Sequence, residues 1–293
     1  MRMIIGEILH DQKSNQLRVI HKYRAPVRLG HDVFMNGRIS DNTLKEATKA
    51  FTEFALLNKE NRVQKMRAVA TSAVREAKNK HHFVEEIRKK SKIQIEVIDG
   101  IEEARLIHLA VHKELDLHKK KIMLIDIGGG SVEITFSESG YMSATKSFPM
   151  GTVRILDLLT KRKLSEKDLN LVMGDFIEPL THHIESQQGS HQLDFAVGTG
   201  GNLECMGKLR KLILRKTPTT HLTAKELGQI LEEVKKTPLK DRQSKLDMRP
   251  DRSDVIVPAM MVVQMILRLS ETQRLVIPGV GLRDGLLWST AGF

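Results

Sequence analysis

The chain has 293 residues, of which 40% are hydrophobic and 28% are charged, a composition typical of a folded protein with about two domains. Its single cysteine, Cys205, excludes an internal disulfide framework. The longest apolar run near its C-terminal end, residues 255–267, is too short to span a bilayer. We expect a soluble, cytoplasmic protein without a signal peptide.

The chain is strongly basic, with 47 Lys and Arg against 36 Asp and Glu and a net charge of +11. The positive electrostatic potential of such a protein attracts polyanions, whether nucleic acid, nucleotide, polyphosphate or a membrane surface. Each basic run taken alone is also what an ordinary solvated surface contains. With two Tyr and one Trp, the chain offers few rings for base stacking, so nucleic acid is not the expected partner.

Helical and strand patterns alternate along the first third of the chain. The segment "GEILHDQKSNQLRVIHKYRAPVRL" predicts two strands joined by a polar turn over residues 11–16. Ser40 is a candidate cap for a helix with apolar residues at helical spacing. The stretches "KMRAVAT" and "IQIEVID" predict strands on either side of one or two helices, and "EEARLIHLAVHKEL" predicts a further helix.

The remainder of the chain continues in the same mixed pattern. Its predicted elements are a glycine-rich hairpin, helices, the strand "LDFAVG", the helix "NLECMGKLRKLILRK", an apolar helix over residues 257–269, the strand "RLVIP" and the segment "GLRDGLLWS". This order predicts an α/β protein. We place the domain boundary near Gly100, with a first domain over residues 1–100 and a second over residues 101–293.

The segment "KIMLIDIGGGSVEITF" carries the most chemical information. Asp126 ends an apolar strand, and three glycines precede a run in which apolar and polar residues alternate, which indicates a second strand. A dinucleotide-binding loop is excluded because it opens a helix, and the Lys-Ser/Thr ending of a P-loop is absent. The peptide N–H groups of a strand-loop-strand hairpin can instead converge on phosphate oxygens.

Two carboxylates flank this glycine turn. Asp126 and Glu133 offer the hard oxygen ligands that Mg²⁺ prefers, together with waters and substrate phosphates. The alternative is a tight hairpin with two solvent-facing acids, although a plain hairpin needs one glycine and rarely three.

The chain resembles the exopolyphosphatase/guanosine pentaphosphate phosphatase (Ppx/GppA) family in blocks that follow the family's order over nearly its whole length. These blocks are "AVATSAVREAKN", "VIDGIEEARLIHLAV", "LIDIGGGSVEITF", "SFPMGTVRI", "AVGTGGNLECMGKL", "DRSDVIVPAM" and "IPGVGLRDGLL".

The resemblance implies two actin/Hsp70-like (ribonuclease H-like) α/β domains around a central cleft, and a homodimer. It also implies Mg²⁺-dependent (or Mn²⁺-dependent) removal of the terminal phosphate from inorganic polyphosphate. The alternative in the same family is removal of the 5′ γ-phosphate from guanosine pentaphosphate, and the sequence does not separate the two. An alternative of another class is a non-catalytic sensor of polyanions or guanosine penta- and tetraphosphate.

The resemblance also implies roles for individual residues. Glu103 matches the general base, which orients and deprotonates a water; alternatively, Glu102 and Glu103 only complement the dipole of their helix. Asp126 and Glu133 match the metal-binding positions. The positions that match phosphate-binding residues are Arg75, Gly128, Gly129, Gly130, Ser131, Gly198, Thr199, Gly200, Gly201 and Arg283. For the two arginines the alternatives are surface salt bridges to Glu76 and Asp284.

Two further expectations concern the chain start and the basic surface. The family carries a D-x-G-S-N-S-type loop before the strand that "MRMIIGEI" resembles, so we expect a late or trimmed start; the alternative is a divergent protein with half of its phosphate clamp missing. For a long polyphosphate we expect a cationic path on the helix after "GTGGN". Its candidates, which cannot all share one helix face, are Lys208, Arg210, Lys211, Arg215 and Lys216.

Overall fold

A computed structural model describes residues 1–10, 15–189 and 192–292, so most of the predicted polar turn over residues 11–16 lies outside the described residues. The chain divides into two compact units, one of Met1–Ala110 with Gly281–Phe293 and the other of Val111–Val280. This division corrects the predicted boundary at residue 100, because the first unit extends further and also includes the C-terminal segment.

The first unit contains the predicted hairpin and a second, parallel strand pair. Its elements are β1 (Arg2–His10), β2 (Asn15–Arg24), α1 (Leu29–Asn36), α2 (Asp41–Glu60), β3 (Ala68–Ala70), α3 (Ser72–Glu76), α4 (Lys80–Ser91), β4 (Ile95–Val97), the first part of α5 (Gly100–Glu114) and α14 (Leu282–Ala291). Strands β1 and β2 are antiparallel, and β3 and β4 are parallel.

Helix α2 begins where the sequence predicts. The Ser40 hydroxyl accepts a hydrogen bond from the Thr43 N–H at 3.3 Å, which satisfies one of the peptide groups that a helix start leaves open. Ala47, Ala50 and Phe54 lie at helical spacing and are buried, so one stripe of the helix faces the core of the unit.

The C-terminal helix α14 belongs to the first unit because it packs closely against two of its elements. A Cβ atom at Gly285 would lie 1.7 Å from the Leu106 carbonyl oxygen of α5, so only glycine permits this approach. On β1, a Cβ at Gly6 would lie 2.9 Å from the Leu287 side chain. Contacts of this kind join residues far apart in sequence, which the local pattern does not encode.

The second unit is built around a six-stranded sheet in the order β7-β6-β5-β8-β10-β9. Its strands are β5 (Lys121–Ile127), β6 (Val132–Glu138), β7 (Tyr141–Phe148), β8 (Phe195–Thr199), β9 (His221–Thr223) and β10 (Arg274–Val276). Strands β5, β6 and β7 form an antiparallel meander, β8 runs parallel to β5, β10 runs parallel to β8, and β9 is antiparallel to β10.

Helices cover this sheet and complete its core. They are the last part of α5, α6 (Thr152–Lys161), α7 (Leu169–Gly174), α8 (Ile177–Gln188), α9 (Gly201–Leu214), α10 (Ala224–Lys236), α11 (Arg242–Lys245), α12 (Pro250–Ser253) and α13 (Ile256–Leu269), with short 3-10 turns at Glu166–Asp168 and Leu239–Asp241. Helix α13 is buried over most of its length, as its apolar sequence predicts. Among the described residues, none of the helices has the length and apolar character that a membrane crossing requires.

Candidate functional site

The three glycines form the turn between β5 and β6, and the first turn of α6 holds their carbonyl groups. The Gly128 N–H donates to the Ser131 carbonyl at 3.0 Å and closes the hairpin. The Thr152 N–H donates to the Gly128 carbonyl at 3.1 Å, and the Val153 N–H donates to the Gly129 carbonyl at 2.9 Å. The start of α6 therefore satisfies its own open N–H groups by binding the glycine turn.

Two residues around the start of α6 complete this contact. The Arg154 Nε donates to the Gly130 carbonyl at 2.8 Å. Gly151 lies directly against the turn, since a Cβ there would be 2.4 Å from backbone atoms of Gly130 and Ser131. Neither residue was among the predicted site residues, although "GTVRI" follows the glycines closely in sequence and its Gly-Thr step is typical of a helix start.

The start of α6 binds only the carbonyl groups of the glycine turn, so the N–H groups of the turn are not used by this contact. In the described part of the chain, the peptide N–H groups of Gly129, Gly130 and Ser131 have no hydrogen-bond acceptor. Consecutive peptide N–H groups without acceptors form a binding surface for an anion such as phosphate.

A row of polar residues crosses the sheet beside this turn. Asp126 of β5 is the register partner of Glu133 on β6 and of Thr199 on β8, and Glu133 is in turn opposite Ser147 on β7. Side chains directly opposite one another across strands lie on the same face. The Ser147 hydroxyl donates to Glu133 Oε1 at 2.8 Å, and the Thr199 hydroxyl donates to Asp126 Oδ1. The sheet therefore orients both carboxylates.

The donor set of this row fits a divalent cation. Carboxylate oxygens of Asp126 and Glu133 lie within 4.8 Å of each other, and the Glu133 side chain is buried. Two carboxylates this close repel each other when both are ionised, and hard oxygen donors are the preferred ligands of Mg²⁺. The predicted metal ligands are thus neighbours on one sheet face.

The "GTGG" segment follows β8 and starts α9. Thr199 is one of the residues predicted to bind phosphate, and its hydroxyl donates a hydrogen bond to Asp126 Oδ1. Gly200 has a φ of +90°, a backbone conformation that is unfavourable for residues other than glycine. This conformation turns the chain into the helix that begins at Gly201. At Gly198 a Cβ would lie 2.8 Å from Leu203, so this glycine permits close packing of α9 on β8.

In the first unit, the two adjacent acids at the start of α5 differ in their surroundings. Glu102 forms salt bridges with Arg105 at 2.6 Å and with Arg67 at 3.1 Å, and the hydrogen bond from Arg105 lowers the pKa of Glu102. Glu103 is buried, with 7% of its surface exposed. Glu102 is thus engaged in salt bridges at the start of the helix, and Glu103 is the more buried of the two acids.

The two predicted arginines lie on different helices of this unit. Arg75 Nη1 donates to the Ile98 carbonyl at 2.7 Å and lies 3.8 Å from Glu103 Oε2, so its pairing partner is not the neighbouring Glu76. Arg283 lies 3.8 Å from Asp284, which is the alternative that the sequence left open. Its helix, α14, packs on α5 at Leu106, one turn beyond Glu103.

The predicted cationic path on α9 is wrong for one of its five members, Arg210. Arg210 is buried and bonded to Glu226, and Lys216 Nζ lies 2.9 Å from the same carboxylate. The Arg210 side chain is therefore not available to a polyanion, whereas the Lys216 side chain, although paired with Glu226, is 55% exposed.

The chain matches one protein family and is similar to several named proteins. The family model described as the Ppx/GppA phosphatase family matches residues 8–292. Exopolyphosphatase 2 of Mycobacterium tuberculosis is 27% identical over 100% of this chain and 95% of its own length. The guanosine-5′-triphosphate,3′-diphosphate pyrophosphatase of Aliivibrio fischeri is 23% identical over 94% of this chain and 54% of its own.

A third relative and two solved structures extend the comparison. The bifunctional 3-dehydroquinate synthase/phosphatase of Fusobacterium nucleatum is 25% identical over 91% of this chain, which spans only 41% of that longer protein. The exopolyphosphatase structure from Cytophaga hutchinsonii has a TM-score of 0.86 at 23% identity, covering 98% of this chain and 92% of its own. The Ppx/GppA member from Aquifex aeolicus has a TM-score of 0.78 at 25% identity, with coverages of 99% and 93%.

These structures confirm the predicted fold class, an α/β protein with actin-like domains. Because the family model covers nearly the whole sequence, the chain belongs to the Ppx/GppA phosphatase family, a family of phosphoric anhydride hydrolases.

Proposed function

We propose that this protein hydrolyses the terminal phosphate of inorganic polyphosphate, with a divalent cation, Mg²⁺ or Mn²⁺, held by Asp126 and Glu133. The observation that carries the proposal is the glycine turn, whose three N–H groups lack acceptors among the described residues and lie next to a pair of buried or half-buried carboxylates. A phosphate chain end would satisfy those N–H groups, and a cation held by the two acids would supply positive charge that offsets the negative charge of the phosphate.

The chain's own residues then position the phosphoryl group. The N–H groups of Gly129, Gly130 and Ser131 bind its oxygens, and α6 keeps the turn in place through its carbonyl groups. Thr199 and Ser147 fix the rotamers of the two carboxylates. Preorganised donors of this kind stabilise developing charge without having to reorient during the reaction.

Glu103 is the proposed base. It orients a water for in-line attack on the terminal phosphorus and accepts its proton, and the leaving group is the shortened polyphosphate. Arg75 holds Glu103 in place at 3.8 Å and remains charged throughout. Arg75 and Arg283 are the proposed phosphate-binding arginines of the first unit.

The second candidate substrate is guanosine pentaphosphate, favoured by the similarity to the Aliivibrio fischeri pyrophosphatase. The same turn, carboxylates and base would serve, because both substrates end in a phosphoric anhydride. Release of phosphate from polyphosphate and from guanosine pentaphosphate, measured side by side at equal concentrations of chain ends, separates the two.

The neighbouring acids of α5 offer a matched test of the mechanism. We expect Glu103→Gln to lower turnover on polyphosphate by roughly 10²–10⁴-fold with little change in KM, as for loss of a general base. Glu102→Gln, one residue away and engaged only in salt bridges, should retain turnover within about threefold because pairs of this kind contribute little.

Near-normal turnover in Glu103→Gln removes Glu103 from the role of base. Tight binding of polyphosphate without any phosphate release, with Mg²⁺ or Mn²⁺ present, would instead select the sensor alternative. The homodimer and the cytoplasmic location stay predictions.

A further inference from the structure

The peptide groups of the glycine turn have their carbonyl oxygens on one side and their N–H groups on the other. In a planar trans peptide the C=O and N–H bonds point in opposite directions. The carbonyls of Gly128, Gly129 and Gly130 all accept hydrogen bonds from the start of α6. The N–H groups of the same three peptides belong to Gly129, Gly130 and Ser131. Each carbonyl contact with α6 therefore sets the direction of one N–H group on the side proposed for phosphate.

The first two carbonyls are bound by uncharged donors. The Thr152 N–H donates to the Gly128 carbonyl at 3.1 Å. The Gly129 carbonyl accepts from the Val153 N–H at 2.9 Å and from the Arg154 N–H at 3.0 Å. All of these donors are main-chain groups, so substitution of a side chain of α6 leaves them in place.

The third carbonyl is bound by a cation. The Arg154 Nε donates to the Gly130 carbonyl at 2.8 Å, whereas the Gly151 N–H is a more distant donor to the same oxygen, at 3.3 Å. A hydrogen bond from a charged donor is roughly twice as strong as one between neutral groups. The Arg154 side chain thus dominates the contact of this peptide with α6.

A charged donor on a carbonyl also strengthens the N–H group of the same peptide. It draws electron density toward the carbonyl oxygen and leaves the N–H hydrogen more positive, and hydrogen bonds coupled in this way strengthen one another by roughly 10–30%. The peptide concerned joins Gly130 to Ser131, so the group affected is the Ser131 N–H. Ser131 is 6% exposed, and a hydrogen bond is electrostatically stronger in such a buried place than in water.

We propose that Arg154 is a positioning residue for the hydrolysis, which directs and polarises the Ser131 N–H as the strongest of the three phosphate donors. This inference rests on the proposed function, because it takes a phosphoryl group as the ligand of the turn. Arg154 acts through the peptide between Gly130 and Ser131 and does not have to touch the substrate.

The effect of Arg154 should fall on kcat and spare KM. A long polyphosphate makes contacts along many of its phosphates, so weakening one N–H at its end changes the overall binding little. The terminal phosphoryl group, however, must be held in line with the attacking water, and a loosely held group reacts more slowly.

Three substitutions separate the charge of Arg154 from its hydrogen bond. In Arg154→Gln the side-chain nitrogen is attached to Cδ, as Nε is in arginine, so the donor is kept and the charge is lost. Arg154→Lys keeps a charge one atom further along the side chain, and Arg154→Met keeps neither feature.

The expected order of kcat on polyphosphate follows from these differences. Arg154→Gln should lower kcat roughly tenfold and Arg154→Met about 30-fold, both less than the 10²–10³-fold that is typical when an oxyanion donor is removed outright. Arg154→Lys should stay within about fivefold of the unchanged protein, and KM should change by less than about threefold in all three variants. Lys161→Gln is the matched control, because it removes one charge from the last turn of the same helix. It should leave kcat unchanged.

The amide nitrogen chemical shift of Ser131, measured without substrate, distinguishes polarisation from simple support of the turn. This shift responds to the hydrogen bond on the carbonyl of the same peptide. In Arg154→Gln the Ser131 signal should therefore move further than the signals of Gly129 and Gly130, whose peptides keep their main-chain donors. A displaced turn would move all three signals together.

The inference is overturned if Arg154→Gln and Arg154→Met both keep normal kcat, or if Arg154→Lys is no better than Arg154→Met. It is also overturned if the signals of Gly129, Gly130 and Ser131 move together in Arg154→Gln, or if Lys161→Gln lowers kcat as much as Arg154→Gln does. The two proposals fail separately. An unchanged protein that releases no phosphate from polyphosphate contradicts the proposed hydrolysis, while the Ser131 signal still supports or overturns polarisation of the turn by Arg154.

Discussion

Arg210 and Glu226 form a bidentate ion pair inside the second unit. The Arg210 Nε lies 3.0 Å from Glu226 Oε2 and its Nη2 lies 3.1 Å from Oε1, and each side chain is 7% exposed. The Glu226 carboxylate also accepts from the Thr223 N–H at 3.0 Å at the start of α10, so one acid caps a helix and neutralises an arginine of α9.

Removing one partner of this pair should be strongly destabilising. We expect Arg210→Met to lower the free energy of unfolding by about 3–5 kcal/mol, because it leaves the Glu226 carboxylate buried with only Lys216 to neutralise it. The measurement is urea unfolding at pH 7. Lys211→Met, at the exposed next position of α9, should change the unfolding free energy by less than about 0.5 kcal/mol.

The double variant Arg210→Met/Glu226→Leu provides the control for this explanation. It should recover part of the lost stability, since an apolar pair of similar volume carries no buried charge. If the double variant has a lower free energy of unfolding than Arg210→Met, the two substitutions act independently. The loss then comes from packing, and the electrostatic explanation is wrong.

The same carboxylate predicts a loss of stability in acid. Burial alone would raise the pKa of Glu226, but hydrogen bonds from Arg210 and Lys216 outweigh it and lower the pKa to about 2 from its ordinary value of 4.5. Because the folded value lies below the unfolded one, the stabilisation is complete above pH 4.5 and is lost as the pH falls toward 2.

The lost stabilisation should amount to roughly 3 kcal/mol. Unfolding free energies measured in steps from pH 5 to pH 2 should fall less steeply for Glu226→Gln than for the unchanged protein. Equal slopes would show that other carboxylates dominate acid unfolding.

The sequence predicts those parts of the fold that depend on neighbours along the chain. The apolar run ending at Asp126, the three glycines and the alternation after them define β5, the turn and β6, because each element follows from local backbone preferences and a period of two. The start of α2 at Ser40 is predictable for the same reason.

What the sequence does not reveal depends on register between distant strands and helices. Thr199 meets Asp126 only because β8 pairs in parallel with β5, although 73 residues separate the two. Arg154 reaches the Gly130 carbonyl because α6 folds back on the turn. Arg210 belongs to a basic run, and only the position of α10 shows that it is buried.

Protonation of His183 should also reduce stability, in a higher pH range. Its ring lies 5.7 Å from the rings of both Phe136 and Phe148, and burial lowers the pKa of His183 in spite of a backbone hydrogen bond at Ile134 that raises it. Since the folded pKa is depressed, the unfolded state binds protons more readily, and stability falls as the pH drops below the ordinary histidine value of 6.5.

The variant His183→Leu isolates this effect. Between pH 7 and pH 5 its unfolding free energy should depend less on pH than that of the unchanged protein. His182→Leu, which changes the exposed neighbour on the same helix, should keep the original slope. Identical slopes for all three proteins would mean that His183 does not couple to folding.

The last prediction concerns Gly151, the residue before α6. A methyl group there would lie 2.4 Å from three backbone atoms of the glycine turn, so backbone must move to accommodate Gly151→Ala. We expect a loss of stability of about 1–3 kcal/mol from this overpacking. The displaced turn would also misplace the N–H groups of Gly129, Gly130 and Ser131, so turnover on polyphosphate should fall by roughly 10²-fold or more even in the folded fraction.

Gly174→Ala is the matched control, because nothing lies within 4 Å of a Cβ at that position of α7. Its unfolding free energy should stay within about 1 kcal/mol of that of the unchanged protein, since alanine fits a helix at least as well as glycine. Its turnover on polyphosphate should be normal. Phosphate release is measured for both variants at a temperature where circular dichroism shows each to be folded. Once the methyl group is present, the backbone at residue 151 and the backbone of Gly130 and Ser131 cannot both keep their positions. A folded Gly151→Ala protein with normal turnover would therefore contradict the role proposed for the glycine turn.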